Sequence, residues 1–346
     1  MSRYFALVFA CTLLIATAGC NSNKSANGDD ANSVKLQGAG ASFPAPLYTK
    51  WFKAFSGTHN DIQVDYQSVG SGSGVKSVID KTVDFGASDA AMTDEEMASV
   101  QGGVQLIPMT AGSIVIAYNL PGVKDLKLSR KVYPAIFLGK IKKWNDPEIA
   151  KANPGLKLPD QAINVVVRAD SSGTSFVFSK HLSTISPEFE KQVGVNKMPN
   201  WPVGTKSKGN EGVTASLMTT PGSVGYIEYG YAKSQNVPFA LLENKAGKYV
   251  AADTASGQAA LASAELPENL IAWNSDPEGE SAYPIVTYTW QIFYKKYDAK
   301  KLAAIQDLIK YQLNDGQKES ELLGYIPLPQ NVVAKDLSAV SNITAQ

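Results

Sequence analysis

Cysteine is almost missing from this chain: 346 residues hold two, Cys11 and Cys20. Both fall within the first twenty positions, so the body can form no internal disulfide and must be held by its core. Histidine is equally scarce. His59 and His181 are the whole supply, and neither stands in a nucleophile–base or metal-ligand pattern, so both read as ordinary surface or helix residues. The chain contains no G-x-S-x-G, no P-loop and no H-E-x-x-H. A serine hydrolase would lack its base and a metallophosphatase its ligand cluster, so no catalytic residue and no metal site are assigned. Charge of one sign is lacking too: 32 Lys and Arg face 32 Asp and Glu. Without a long basic run, nucleic acid is not an expected partner.

Long apolar runs are also absent. The most apolar stretch, Tyr4 to Ala16, follows Arg3 and falls short of the roughly 20 residues a membrane span needs. It fits the h-region of a secretory leader. Thr17-Ala18-Gly19 before Cys20 suggests a lipoprotein leader over residues 1–20, with Cys20 becoming the acylated first residue. An ordinary signal peptide cut nearby, without lipid, is the alternative. Residues 21–33 are small and polar, as in a flexible tether. Loss of the leader removes Arg3 alone among charged residues, leaving 31 basic against 32 acidic side chains and a net charge of about −1.

Serine, glycine and threonine concentrate at three places, each after a strand-like run and before a helix-like one. Gly38 to Pro46 follows Val34–Leu36 and leads into a segment with Leu47, Trp51 and Phe55 on one face. Gly70-Ser71-Gly72-Ser73-Gly74 follows the alternation Ile62, Val64, Tyr66 and precedes Val75, Val78 and Ile79. Arg168-Ala-Asp170-Ser171-Ser172-Gly173-Thr174-Ser175 follows the β-forming run Ile163–Val167 and precedes Phe176-Val177-Phe178. Between the second and third lies Asp84 to Asp89, a strand ending in a carboxylate. Free N–H groups in a first helical turn, a forked guanidinium, and glycines that admit close approach are what an oxyanion site requires. Strand-like and helix-like runs alternate along the rest of the chain, which argues for α/β architecture with largely parallel sheets. Further strands are expected at 104–108, 113–118, 223–227 and 285–294, and helices at 44–55, 174–182, 212–218 and 300–313.

GAGASFPAP, GSGSGV, VDFGASDA, LGKIKKW (Leu138 to Trp144), RADSSGTSF and GSVGYIEYGYA (Gly222 to Ala232) occur in order. Together they resemble the extracytoplasmic phosphate-binding proteins of phosphate-specific ABC transporters, the PstS family of periplasmic solute-binding proteins, from about Leu36 to Pro329. Ser42 stands where threonine is common in that family, and Ser171 where glycine often sits. The resemblance implies a two-lobed periplasmic-binding-protein fold of type II, each lobe a mostly parallel sheet flanked by helices. Residues 34–112 with 288–346 would form lobe one, and 113–287 lobe two, with a hinge between them. It implies a monomer that binds inorganic phosphate without a cofactor and passes it to the transmembrane permease subunits. Membrane contact would run only through an N-terminal lipid, with the protein periplasmic or on the cell surface.

By the same resemblance, phosphate meets Ser42, Phe43, Ser71, Asp89, Arg168, Ser172, Gly173 and Thr174, with Ala41 in support and Asp170 fixing the plane of Arg168. Phe43, Gly173 and Thr174 would contribute backbone N–H groups. Asp89 carries the selectivity: an ionised carboxylate only accepts, so it welcomes the hydroxyl of phosphate and repels bare sulfate. Blander roles stand beside these. Ser42 could help start its helix, residues 70–74 could be plain turn, Asp89 could cap the next segment, and Arg168 could be a surface pair with Asp170. Trp144, Trp201, Tyr226, Tyr229 and Tyr231 read as packing residues, and Lys140, Lys142 and Lys143 as a solvated face. Rival functions are a binder of sulfate, molybdate or another oxyanion and, more remotely, a phosphatase.

Overall fold

The computed structural model describes residues 33–262 and 264–346. The expected leader, Cys20 and the tether up to residue 32 lie outside them. Eight strands form one sheet: β1 Val34–Gly40, β2 Ile62–Ser68, β3 Phe85–Ser88, β4 Val104–Tyr118, β5 Asn164–Arg168, β6 Thr205–Ser207, β7 Ser223–Glu228 and β8 Val286–Tyr294. Their order across the sheet is β2-β1-β3-β8-β4-β7-β5-β6.

The sheet is mixed where largely parallel pairing was expected, and the reason lies in two long strands. Toward each edge the pairings are parallel: β1 with β2 and β3, and β5 with β6 and β7. In the middle, β8 runs antiparallel to β3 and β4, and β4 antiparallel to β7. The stretches 104–108 and 113–118, expected as two strands, are one strand of 15 residues. Pro108 does not break it, because β8 shifts register by a bulge between Thr289 and Trp290 beside it. Up to Ser113, β4 pairs with β8; from Ile114 onward it pairs with β7. The chain thus threads from one parallel group of strands to the other through β4 and returns through β8.

Helices cover the sheet, and four begin at loops that follow strands: α1 Ala45–Thr58, α2 Ser71–Ile79, α3 Gly173–Ile185 and α4 Gly209–Thr219. Helix α1 buries Leu47, Tyr48, Trp51, Phe52 and Phe55, each contributing on the order of 2 kcal/mol by removal from water. Trp51 Nε1 also donates to the Gly316 carbonyl at 2.7 Å. Helix α2 starts earlier than its apolar pattern suggested: Ser71 to Gly74, expected as a turn, are its first residues. Helix α4 likewise begins at Gly209 rather than Gly212. Toward the C-terminus lie the longer helices α5 Ala299–Leu313 and α6 Gln330–Ala339.

The aromatic residues expected to pack do so, with additions. Trp144 is fully buried and donates to the Gly222 carbonyl at 2.9 Å. Tyr226 stacks on Phe178 with centroids 4.4 Å apart. Of the two readings for His181, helix holds and surface does not: it is buried in α3, 2.8 Å from the Tyr133 hydroxyl, and burial pushes its ring down to about 4, keeping it neutral. The lysine cluster is a solvated face laced with ion pairs, Lys140 to Glu188 and Lys143 to Asp160. No helix among the described residues is long and apolar enough to cross a membrane.

Candidate functional site

Strand β1 ends at Gly40, β3 at Ser88 and β5 at Arg168. The residues that follow these ends meet, as side-chain contacts between them show. Asp89 accepts from the Thr289 hydroxyl at 2.9 Å through Oδ1 and from the Thr174 hydroxyl at 3.4 Å through Oδ2. Its backbone N–H donates to Ser71 Oγ at 3.2 Å. Arg168 Nη1 donates to the same Thr174 oxygen at 3.3 Å. One hydroxyl therefore touches both the acceptor carboxylate and the guanidinium, and both are buried, at 1% and 5% exposure. That exposure removes two of the blander readings: Arg168 forms no surface pair, and Asp89 spends its carboxylate on hydroxyls instead of capping a helix.

Asp170 holds the guanidinium by a fork, Nε to Oδ1 at 2.9 Å and Nη2 to Oδ2 at 2.6 Å. The Gly209 amide adds a third bond at 3.0 Å. Burial pushes Asp170 up, but the bonds and charge of Arg168 and the Gly209 amide outweigh it, leaving the carboxyl below its usual range. Arg168 stays charged. Burial alone would lower it, and the bond to Asp170 more than restores it. Asp89 lacks such a fork. Burial drives its carboxyl up to about 7, only partly countered by the Thr289 bond, the Arg168 charge and the Thr174 hydroxyl.

The glycines are where side chains would collide. A Cβ on Gly173 would lie 2.5 Å from Ser71 Oγ and 2.8 Å from Asp89 Oδ2. Gly70 has a φ of +94°, and a Cβ there would come within 2.4 Å of Asp170 Oδ2. Ser172 is the N-cap of α3, its Oγ accepting from the Ser175 amide at 3.0 Å while its own hydrogen remains to donate. Among the described residues, no acceptor meets the backbone N–H of Phe43, Gly173 or Thr174. Ala41 ties its loop to β3 through the Ala87 carbonyl at 2.9 Å. The Phe43 ring packs edge-on to Tyr325, its centroid 6.3 Å away.

Three supports escaped the sequence reading. The carbonyls of Ala41, Ser42 and Phe43 each accept from a tyrosine hydroxyl: Tyr66 at 2.7 Å, Tyr231 at 2.6 Å and Tyr325 at 2.7 Å. With the carbonyls so held, the Phe43 N–H at the far edge of its peptide plane faces the other way. Asn210, the second residue of α4, donates to Ser42 Oγ from its backbone at 3.0 Å and from Nδ2 at 2.9 Å. Ser42 does not cap α1, whose N-cap is Pro44 without a side-chain bond. Thr289 lies in the middle of β8, where nothing local marks it as different from its strand neighbours. Gly209-Asn210 repeats the small-residue start of the other loops, and that signal was open to reading.

Comparison with known proteins agrees with this arrangement. Residues 25–315 match the family model of the PBP superfamily domain. The phosphate-binding protein PstS of Pasteurella multocida is 41% identical over 87% of this chain and 88% of its own. The protein of the same name from Haemophilus influenzae is 40% identical over 88% and 92%. Among solved structures, the phosphate-binding protein from Stenotrophomonas maltophilia superposes with a TM-score of 0.72 at 22% identity, covering 88% of this chain and 94% of that one. A high-affinity periplasmic phosphate-binding protein solved with bound phosphate, PfluDING, gives 0.72 at 20% identity over 87% and 92%. The fold is thus the two-lobed α/β one of these proteins, and the chain belongs to the PBP superfamily and, within it, to the PstS family.

Proposed function

We propose that this protein captures inorganic phosphate between its two groups of strands and delivers it to the permease of an ABC importer. The observation that carries this is the single Thr174 hydroxyl lying 3.3 Å from Arg168 and 3.4 Å from Asp89. A permanent cation and an acceptor carboxylate on one spot suit a tetrahedral anion that still carries a proton. Arg168, the N–H groups of Phe43, Gly173 and Thr174, and the hydroxyls of Ser42, Ser71, Ser172 and Thr174 would donate to its oxygens. Asp89 would accept from its hydroxyl. About ten such bonds to a rigid ion are compatible with a micromolar or tighter constant, about −8 kcal/mol.

The two lobes we assign to residues 34–112 with 288–346 and to 113–287. The change of partner by β4 at Ser113–Ile114 supports that division, and β4 and β8 would serve as the hinge. The protein acts outside the cytoplasm, as a monomer, and Cys20 would carry its lipid anchor. Binding without turnover fits the names of the relatives and the position of His181, which is engaged with Tyr133 rather than with the loops.

Calorimetric titration at pH 8 tests the reading, with sulfate as competitor. Phosphate should be preferred by about 10⁴-fold or more. Equal affinity for the two anions would favour the general oxyanion binder, and no heat with either would remove the assignment.

A further inference from the structure

We propose that Asn210 is the positioning residue that makes the hydroxyls of Ser42 and Thr174 obligate donors, so that the wall they form can receive only an acceptor oxygen. This rests on the phosphate reading of the same site. A hydroxyl has one hydrogen and two lone pairs. Ser42 Oγ receives the Asn210 backbone N–H at 3.0 Å and its Nδ2–H at 2.9 Å. Thr174 Oγ1 receives the other Nδ2 hydrogen at 3.2 Å and Arg168 Nη1 at 3.3 Å. Both oxygens have then spent both lone pairs and can act only as donors: the Thr174 hydrogen is directed to Asp89 Oδ2 at 3.4 Å, beside the ligand's place, and the Ser42 hydrogen is left to offer.

The amide cannot turn over and reverse this. Its Oδ1 accepts from the backbone N–H of Glu228 at 2.9 Å, in the last residue of β7, which fixes which end carries the hydrogens. Both Nδ2 hydrogens and the Oδ1 of Asn210 are therefore engaged, in a residue with no exposed surface. The network also spans the sheet. Ser42 follows β1 near one edge, whereas Asn210 opens α4, between β6 and β7 at the other. The two hydroxyls are programmed together only when both ends of the sheet have come into contact, so the donor wall is assembled by the same contact that closes it.

The consequence is selectivity of a kind Asp89 does not provide. Asp89 demands one ligand hydrogen; Asn210 ensures that the oxygens opposite meet hydrogens and never lone pairs. Replacement by aspartate reverses the polarity at constant shape, because a carboxylate would draw the two hydroxyl hydrogens toward itself.

A double-mutant cycle tests this with labelled phosphate in equilibrium dialysis, carried to millimolar concentration so that weak binding stays measurable. Asn210→Ala should weaken phosphate binding at least about tenfold in the natural background but less than about twofold in a Ser42→Ala/Thr174→Val background. A merely structural role, such as supporting the Glu228 amide, would cost the same factor in both backgrounds, and that additive result overturns the proposal. Should Asn210→Ala fail to fold by circular dichroism, Asn210→Asp keeps the volume and carries the test. Wild-type affinity in that variant overturns the proposal; a loss of at least about tenfold is expected. A natural chain that itself takes up no phosphate would instead remove the reading of the site.

Discussion

Two of the buried carboxylates, Asp89 and Asp336, have surroundings that could hardly differ more. Asp89 lies where three loops meet; its carboxylate accepts from the Thr289 and Thr174 hydroxyls and its backbone N–H donates to Ser71 Oγ, with the charge of Arg168 nearby. Asp336 lies in α6, fully buried, and neither of its oxygens has a hydrogen-bond partner among the described residues. Burial raises both, Asp89 to about 7 and Asp336 to about 8. Desolvation alone therefore does not make a recognition site, since it acts on both. What separates them is the ring of donors: around Asp89 nearly every polar group is oriented, and around Asp336 the acid is simply stored in its neutral form.

Breaking the ring at its charge should have the largest effect. Arg168→Ala leaves Asp170 buried without its fork and removes a permanent cation from the site, and truncating one member of such a pair costs about 3–5 kcal/mol. Phosphate affinity measured by calorimetry should fall by roughly 10²-fold to 10³-fold or more. Near-natural affinity in this variant would detach the site from its assigned ligand.

Asp89 sharpens the contrast through pH. Above about 7 it is ionised and can only accept; below, it is protonated and can donate to sulfate as readily as it accepts from phosphate. The preference for phosphate over sulfate should therefore be widest near pH 8 and narrow as pH falls through 7 toward 5. Asp89→Asn should flatten that dependence and shrink the ratio by about 10²-fold or more, since an unpaired buried acceptor then no longer faces sulfate. Competition titrations across that range would read it, and a ratio independent of pH in the natural protein contradicts the acceptor role.

A smaller loss is expected from the tyrosines. Tyr231→Phe frees the Ser42 carbonyl from its 2.6 Å bond and loosens the peptide that aims the Phe43 amide. A net hydrogen bond is worth about 1 kcal/mol, so phosphate binding should weaken about fivefold. Tyr231→Phe with unchanged affinity would show that the loop's other supports hold it without this bond.

How much of this was open to reading follows from range. The three strand–loop–helix segments announce themselves locally, through glycine, hydroxyls and the apolar faces that follow them, so Ser71, Asp89, Arg168 and Thr174 could be picked out one segment at a time. Ser42 was found but its partner was not, because Asn210 lies 168 residues away and the contact exists only once the sheet has formed. Thr289 and Tyr325 are invisible for the same reason: one sits inside a strand where Thr287 and Gln291 are equally polar at alternate positions, the other in a loop near the C-terminus. The mixed pairing at the centre was missed because antiparallel β4 and β8 are separated by long insertions, and no turn between them signals a hairpin. For His181 the choice between surface and helix stayed open because a lone histidine in a helical run carries no sign of which face it takes.

Asp336 gives the comparison its other limit, and the sign can be worked out. In the unfolded chain a carboxyl titrates near 3.9, whereas in the fold Asp336 holds its proton to about 8. Between those values the unfolded state binds fewer protons, so folding stability contributed by this group is full below about pH 4 and is lost as pH rises to 8, at no more than roughly 1.4 kcal/mol per pH unit. Asp336→Asn carries no such titration. Its unfolding free energy in urea should exceed that of the natural protein by an amount that grows from pH 5 to pH 8, while its phosphate affinity stays the same at every pH. Asp89→Asn should show a similar gain in phosphate-free protein, ending nearer pH 7, but with its selectivity changed. The two variants thus separate what burial does to an acid from what the donors around it do: a stability curve that moves in both, and a recognition profile that moves in only one. If Asp336→Asn altered phosphate binding, the storage of a neutral acid in α6 would be coupled to the site, and the division between the two carboxylates would fail.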